Sequence, residues 1–131
     1  MSAQDSLYPP DWREAARRDW NRVGALLGLS DAEGAAFFLE QALEKYLKAF
    51  LLQRGWKLRK IHLLHVLLEE ALVHEPRLAG FRDLCERVAG YYLTERYPQL
   101  VPSALQISDV ERDRAESRRL VETLFPDECS S

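Results

Sequence analysis

Apolar residues recur with the 3.6-residue period of an α-helix in five stretches of this chain. No stretch alternates apolar and polar residues for long, as a half-buried strand would. Pro, Gly and capping residues separate the stretches, so the pattern predicts helices over roughly 11–29, 30–54, 62–73, 78–95 and 108–124. Because most connections are short, we expect an all-α fold, an up-and-down bundle of four to five helices.

Three helix starts have the pattern of a capping box, in which two side chains three residues apart satisfy free backbone amides. Gly55 stands where a C-cap glycine would end the second helix. The predicted boxes pair Asp11 with Glu14, Ser30 with Glu33, and Ser108 with Glu111.

The length of 131 residues and the apolar share of 47% suit one globular domain. We predict an N-terminal tail over 1–10, one helical domain over 11–125 and a C-terminal tail over 126–131. No apolar run is long enough for a membrane helix, and the N-terminus has neither a basic start nor an apolar run. The sequence therefore predicts neither a membrane span nor a signal peptide.

The two cysteines, Cys85 and Cys129, form neither a Cys-x-x-Cys motif nor a zinc-binding spacing. Cys85 lies in an apolar helical stripe, where a thiol is expected to be buried and unreactive. A reduced, cytoplasmic protein is the expectation that follows.

Basic residues are concentrated in one window although the net charge is −3. The overall charge argues against a broadly basic nucleic-acid coat, but a local basic patch can still contact phosphate. A solvated loop, with Arg54 interacting favourably with a helix C-terminus, would account for the window equally well. His62 and His65 follow directly. The window, 54–60, contains Arg54, Lys57, Arg59 and Lys60 and no acidic residue.

Two further spacings involve these histidines. His62, His65 and Glu69 would share one helix face, as metal ligands can, but a site needs further ligands. We therefore predict no metal site and no cofactor. Arg59 and His65 could act on an RNA 2′-hydroxyl, with His as general acid or base and Arg on the phosphate. Such a pair also arises by chance in an arginine-rich chain.

Two pairs outside the window could assist phosphate binding. Lys45 and Lys48 lie on adjoining turns of one face of the second helix, which could meet the basic linker. Arg96 and Tyr97 end the fourth helix and could hold a phosphate and stack on a base. The same pair could instead provide packing and a cation suited to the helix dipole.

Three motifs in order resemble one known family. Residues 38–49, FLEQALEKYLKA, are similar to a pattern in which an aromatic precedes Gln-Ala-x-Glu-Lys-x-Leu-Lys-Ala. Residues 61–68, IHLLHVLL, resemble its His-Asp-Leu-x-x-Leu stretch, with Leu63 replacing the usual Asp or Ser. Residues 91–98, YYLTERYP, are similar to its Tyr-Tyr-x-x-x-Arg-Tyr-Pro ending. The family is that of HEPN domains, and the resemblance covers nearly the whole chain.

The resemblance implies a helical bundle that usually dimerises. Prokaryotic members are often encoded beside a minimal nucleotidyltransferase, and some such pairs are toxin–antitoxin modules. Many HEPN branches are metal-independent ribonucleases with an Arg-x4-6-His motif at the start of a late helix. In this chain the late helix ends in Arg96-Tyr97-Pro98 with no nearby His, so we expect no ribonuclease motif there and no catalytic residue.

The function predicted is a non-catalytic, dimeric binding module that binds nucleotide and pairs with a minimal nucleotidyltransferase. A ribonuclease toxin using Arg59 with His62 or His65 is the alternative, and a pure protein-interaction scaffold is a second. The dimer interface is expected on the first two helices, whose aromatic residues are Trp12, Trp20, Phe37 and Phe38. The predicted nucleotide- or phosphate-binding residues are Lys45, Lys48, Lys57, Arg59, His62, Arg96 and Tyr97.

Overall fold

The all-α bundle is confirmed by a computed structural model, which describes residues 7–96 and 105–128 except the side chains of 92–96. Five α-helices and no strand occur in these ranges. No helix there is both long and apolar enough to cross a bilayer. The helices are α1 (Pro9–Gly28), α2 (Ala32–Gln53), α3 (Leu64–Leu72), α4 (Arg82–Arg96) and α5 (Ile107–Leu124), with a 3₁₀ helix over Pro76–Phe81.

Helix α2 is the centre of the bundle and contacts all four other α-helices. A helix surrounded in this way is buried over most of its circumference, so apolar residues occupy nearly every side of it. Three charged residues of α2, Glu40, Glu44 and Lys48, are nevertheless buried. Buried charges are costly unless they are paired, so these three side chains require partners inside the bundle.

The first predicted helix start is wrong by two residues. Helix α1 begins at Pro9, and its N-cap, Tyr8, makes no capping hydrogen bond through its side chain. Proline is favoured at the first helical position because it has no backbone N–H to satisfy and its φ is already helical. Asp11 therefore lies inside the first turn, and the Asp11–Glu14 box does not start the helix.

The second predicted cap is also wrong, because Ser30 belongs to the turn that ends α1. Ser30 has a left-handed φ of 60°, and its N–H donates to the carbonyl of Leu27. Asp31 takes the capping role instead, and its Oδ1 accepts a hydrogen bond of 2.9 Å from the Gly34 N–H. The Ser30–Glu33 box is thus replaced by an Asp31 cap.

The third box exists but lies two residues earlier than predicted. Gln106 and Asp109 cap α5 reciprocally, in place of Ser108 and Glu111.

The predicted glycine stop of α2 is confirmed, since Gly55 has a φ of +83°. Its N–H and that of the next residue bond back to carbonyls of the last turn, as in a Schellman motif.

The third and fourth helices both start later than predicted. Helix α3 begins at Leu64, and Leu63 before it has extended backbone, so His62 lies in the linker. The fourth helix was expected from Leu78, but Pro76–Phe81 is a 3₁₀ helix and α4 starts at Arg82. Leu78 is still buried, as its place in the apolar stripe predicted.

The end of the described chain packs back onto α1. Phe125 is buried, and Glu128 binds both Arg13 and Arg17 at 2.7 Å.

Cys85 is buried as predicted, and burial raises the pKa of its thiol to about 12, which keeps it unreactive. Cys129 lies outside the described residues.

Candidate functional site

A cleft of about 390 Å³ opens between α1, α2 and the linker that joins α2 to α3. The basic window and the lysine face of α2 meet here. Ligand sites in proteins are concave and combine a few convergent polar groups with apolar walls, and this cleft has both. Its lining consists of Trp12, Gln41, Glu44, Lys45, Lys48, Leu58, Arg59, Lys60 and His62.

Glu44 organises the floor of the cleft. Its Oε1 accepts a hydrogen bond of 2.9 Å from the Lys48 ammonium and lies 2.6 Å from Nδ1 of His62. The side chains of Glu44 and Lys48 are 7% and 3% exposed, so this ion pair is shielded from water. The Lys48 ammonium also lies 5.3 Å from the centre of the Trp12 ring. A buried lysine is stabilised by such a carboxylate and aromatic face together.

A second carboxyl, Glu40, lies one helical turn before Glu44 and is also buried. Burial, together with the charge of Glu44, raises the pKa of Glu40 to about 8. Gln41 donates a hydrogen bond of 2.6 Å to it. At neutral pH Glu40 is therefore mostly protonated, and Glu44 carries the negative charge that Lys48 neutralises.

Lys45 connects the cleft to α1. Its ammonium is paired with Asp19, a carboxylate on α1 that is 1% exposed. The same carboxylate accepts a bond of 2.6 Å from Arg22. Two cations therefore satisfy one buried acid, and the lysine side chain remains 20% exposed at the wall of the cleft.

The linker supplies the outer wall. Arg59 forms an ion pair with Glu70 of α3, and the Trp56 indole N–H donates to the same carboxylate at 2.8 Å. These contacts hold the linker along α3. Lys60 is exposed and forms no ion pair with any residue that the structure describes.

The lining contains more cations than acids. Lys45, Lys48, Arg59 and Lys60 line the cleft with one carboxylate, Glu44, while Asp19 and Glu70, which pair with Lys45 and Arg59, lie outside the lining. Concave walls of low dielectric concentrate such a field and attract anions. The chemistry that the arrangement supports best is therefore the binding of a multiply charged anion.

Comparison with known proteins identifies the family. The HEPN domain model matches residues 10–124, which is most of the chain. The chain belongs to the HEPN domain family. This HEPN protein is also similar to the crystal structure of TT1696 from Thermus thermophilus, with a TM-score of 0.74 and 25% sequence identity. The alignment covers 90% of this chain and 96% of that one. A search of curated proteins gave no match.

Four of the seven predicted binding residues of this HEPN protein lie together in the cleft: Lys45, Lys48, Arg59 and His62. Lys57 is exposed on the same linker but does not line the cleft. The backbone of Arg96 ends α4, while its side chain and the whole of Tyr97 lie outside the described residues.

The two other histidine arrangements are not formed. His62 precedes α3, so His62, His65 and Glu69 do not share a helix face, and Glu69 is paired with Arg82 at 2.8 Å. His65 is exposed on α3 and does not line the cleft that contains Arg59. The histidine that lines the cleft together with the basic residues is His62.

Sequence reasoning did not select Glu44, Gln41 or Trp12 as site residues, and it placed Lys60 in the basic window without including it among the seven binding residues. One signal could have indicated Glu44. Glu40, Glu44 and Lys48 recur every four residues on α2, a spacing at which acidic and basic side chains of adjoining turns can pair. Trp12 offered no such signal, because its place in the cleft depends on how α1 packs against α2.

Proposed function

We propose that this HEPN protein is a non-catalytic module that binds a nucleotide in the cleft between α1, α2 and the linker. The observation that carries the proposal is a concave site whose lining has four cations and one carboxylate. A nucleotide supplies several negative charges on a small ligand, and charge-assisted hydrogen bonds to phosphate oxygens are among the stronger polar contacts in proteins.

The cations of the outer wall are the ones best placed to meet a ligand. The Arg59 side chain is 53% exposed although it contacts Glu70, and Lys60 has no ion pair within the described chain. Long basic side chains on an exposed linker reorient at little cost, since surface ion pairs are weak. Lys45 and Lys48 are held in fixed positions by ion pairs with buried acids, and Lys45 keeps 20% of its side chain exposed at the cleft wall.

Isothermal titration calorimetry with ATP tests this site. Replacing Lys60 or Arg59 by Ala should weaken ATP binding about tenfold each, because each loses one charge-assisted contact worth about 1.4 kcal/mol. Lys57→Ala is the matched control, since Lys57 is a cation of the same linker outside the cleft. Absence of binding at millimolar ATP, or equal affinity of the wild type and both variants, would contradict the proposal.

We also propose that the chain forms a homodimer and pairs with a minimal nucleotidyltransferase, as a toxin–antitoxin-like module. Membership of the HEPN family supports both ideas. Trp12 belongs to the chain's own core, so it is not available to a second copy. Trp20, Phe37 and Phe38 keep part of their surface exposed and are the aromatic residues that an interface on α1 and α2 could still bury.

Two measurements test the proposed partners. Light scattering should give a mass of twice the 15.2 kDa chain, and a monomeric mass would contradict the dimer. A nucleotidyltransferase encoded beside this chain should co-purify with it when the two are expressed together. Separate elution of the two proteins would contradict the pairing.

One observation favours the ribonuclease alternative. Nδ1 of His62 lies 2.6 Å from the buried carboxylate of Glu44, and a carboxylate that orients an imidazole is a common feature of general bases. Under this hypothesis the purified protein cleaves RNA without metal, and His62→Ala abolishes cleavage while His65→Ala does not. Intact RNA after incubation with the wild type would exclude it.

A further inference from the structure

We infer that the cleft recognises the phosphate chain of its ligand and does not read the base. This inference rests on the proposed nucleotide-binding function and specifies its ligand class. The ligands are nucleoside di- and triphosphates of any base, and an inorganic polyphosphate of similar charge should bind comparably.

The described lining offers no open tryptophan, tyrosine or phenylalanine face for a base. Stacking on an aromatic side chain is the usual sequence-tolerant way to hold a base, and it requires an open ring face. Trp12 is the single tryptophan, tyrosine or phenylalanine in this lining, and the other ring, the His62 imidazole, lies with Nδ1 2.6 Å from Oε1 of Glu44. Trp12 is 3% exposed, and the Lys48 ammonium lies 5.3 Å from its ring centre. A base therefore cannot stack there without displacing the floor of the cleft.

The lining also contains few amide side chains that could form base-specific hydrogen bonds. Discrimination between bases depends on side chains that donate and accept hydrogen bonds in a fixed pattern, as amides do. Gln41 supplies the one amide side chain in the described lining, and its Nε2 already donates to Glu40 at 2.6 Å. Leu58, the neutral residue that the linker contributes, has no polar side-chain group.

Phosphate groups, in contrast, find cations on both sides of the cleft. Lys45, whose side chain is 20% exposed, comes from α2, while Arg59 and Lys60 come from the linker. A chain of phosphates can contact cations of both elements, so each added phosphate should meet a further cation. Glu44 repels an anion from the floor, and its charge is compensated by Lys48 at 2.9 Å.

A calorimetric series at constant ionic strength and without divalent metal tests the inference. From AMP to ADP to ATP the affinity should rise by about fivefold for each phosphate, the gain of about 1 kcal/mol expected of one more screened charge contact. ATP, GTP, UTP and tripolyphosphate should then bind within about threefold of one another, since no base contact contributes.

The outcomes separate this inference from the proposed function. If ATP binds more than about tenfold tighter than UTP and tripolyphosphate, the base is read and the inference is wrong, while nucleotide binding stands. If none of these ligands binds, the proposed function itself fails.

A variant pair excludes general attraction to a basic surface. Lys60→Ala should weaken ATP binding more than AMP binding, because Lys60 is an exposed cation of the lining that the additional phosphates of ATP can contact. Lys57→Ala, a matched loss of one charge outside the cleft, should leave both affinities unchanged. Equal losses in the two variants would show that the linker charge as a whole attracts anions, and the inference would be overturned.

Discussion

Two buried carboxylates in this bundle, Asp113 and Glu44, differ in how their oxygens are hydrogen-bonded. Asp113 of α5 is completely buried, and its two oxygens are shared among three donors. Arg112 donates to Oδ1 at 3.1 Å and Arg87 at 3.2 Å, and the Tyr91 hydroxyl donates to Oδ2. Glu44 of α2 instead meets Lys48 and His62 through the single oxygen Oε1.

The difference separates a structural cluster from a candidate binding site. The Asp113 cluster joins α4 to α5, and each donor in it points at the acid, so it holds two helices together. The Glu44 cluster opens into a cleft whose lining has four cations and one acid, and one of those cations, Lys60, has no ion pair within the described chain. A surplus of charge of one sign adds nothing to the stability of the folded chain, whereas it is useful for holding a ligand of opposite charge.

The largest effect should follow from removing Asp113. Asp113→Ala removes the acceptor of three side-chain donors and leaves Arg87 and Arg112 only their pairs with Glu116 and Asp109, so the free energy of unfolding should fall by about 3 kcal/mol. Urea unfolding followed by circular dichroism measures it. Glu111→Ala, an exposed acid of the same helix, should cost less than about 0.5 kcal/mol. A loss below about 1 kcal/mol for Asp113→Ala would contradict the assigned structural role.

A somewhat smaller effect should appear as a pH dependence at Glu40. Its pKa is raised from 4.5 to about 8 in the folded chain, so the folded state retains a proton that the unfolded state releases. Its contribution to stability is therefore complete below pH 4.5 and is lost as pH rises to about 8.

Glu40→Gln should remove this part of the pH dependence. The variant should match the wild type near pH 5 and exceed its unfolding free energy by about 2 kcal/mol at pH 8. At about 1.4 kcal/mol per pKa unit, the rise from 4.5 to about 8 would give a larger difference in a rigid site, but the surrounding side chains can rearrange. Urea unfolding across this range measures the difference. The control is Glu33→Gln, an exposed acid of the same helix. An identical pH profile for both variants would mean that Glu40 holds no extra proton.

Tyr91→Phe should have an intermediate effect on the structural cluster. Burial and the bond to Asp113 both raise the pKa of Tyr91, which shows how closely the hydroxyl is held. Removing it should lower the free energy of unfolding by about 1.5 kcal/mol, the worth of a hydrogen bond to a charged group. ATP affinity should not change, since Tyr91 is not part of the cleft lining. A change in affinity would mean that the two clusters are coupled.

The smallest stability effect should come from His62→Ala in the Glu44 cluster. The His62 side chain is 63% exposed, so its loss should cost less than about 1 kcal/mol on unfolding. ATP binding should weaken by about threefold because one donor of the cleft is lost. His65→Ala, an exposed histidine outside the cleft, should change neither quantity. A large stability loss for His62→Ala would assign Glu44 a structural role like that of Asp113.

Helix boundaries show where local patterns were insufficient. Ser30 and Asp31 are both good N-cap residues, and sequence alone does not decide between them. The choice was made by the left-handed turn at Ser30, which ends α1 and leaves Asp31 to start α2. In the same way, the apolar pattern extended α3 back to His62, whose ring instead contacts Glu44 across the cleft.

The candidate site was predictable where it depends on spacing. The Lys45–Lys48 face and the basic linker could be recognised because helical periodicity and local charge are properties of neighbouring residues. Glu44 and Trp12 were not selected, because their importance comes from contacts between α1, α2 and the linker. Lys57 and Lys60 are alike in sequence, yet only Lys60 lines the cleft.

The sequence by itself determined the helical class, the apolar stripes and the places where cations accumulate, because each of these depends on residues within a few turns of one another. Tertiary structure alone decided which cations face a common cleft and which carboxylate is shared between them. Long-range packing sets those distances, and burial then sets the charges: it brings His62 to Glu44, keeps Glu40 protonated at neutral pH, and leaves four cations around one acid.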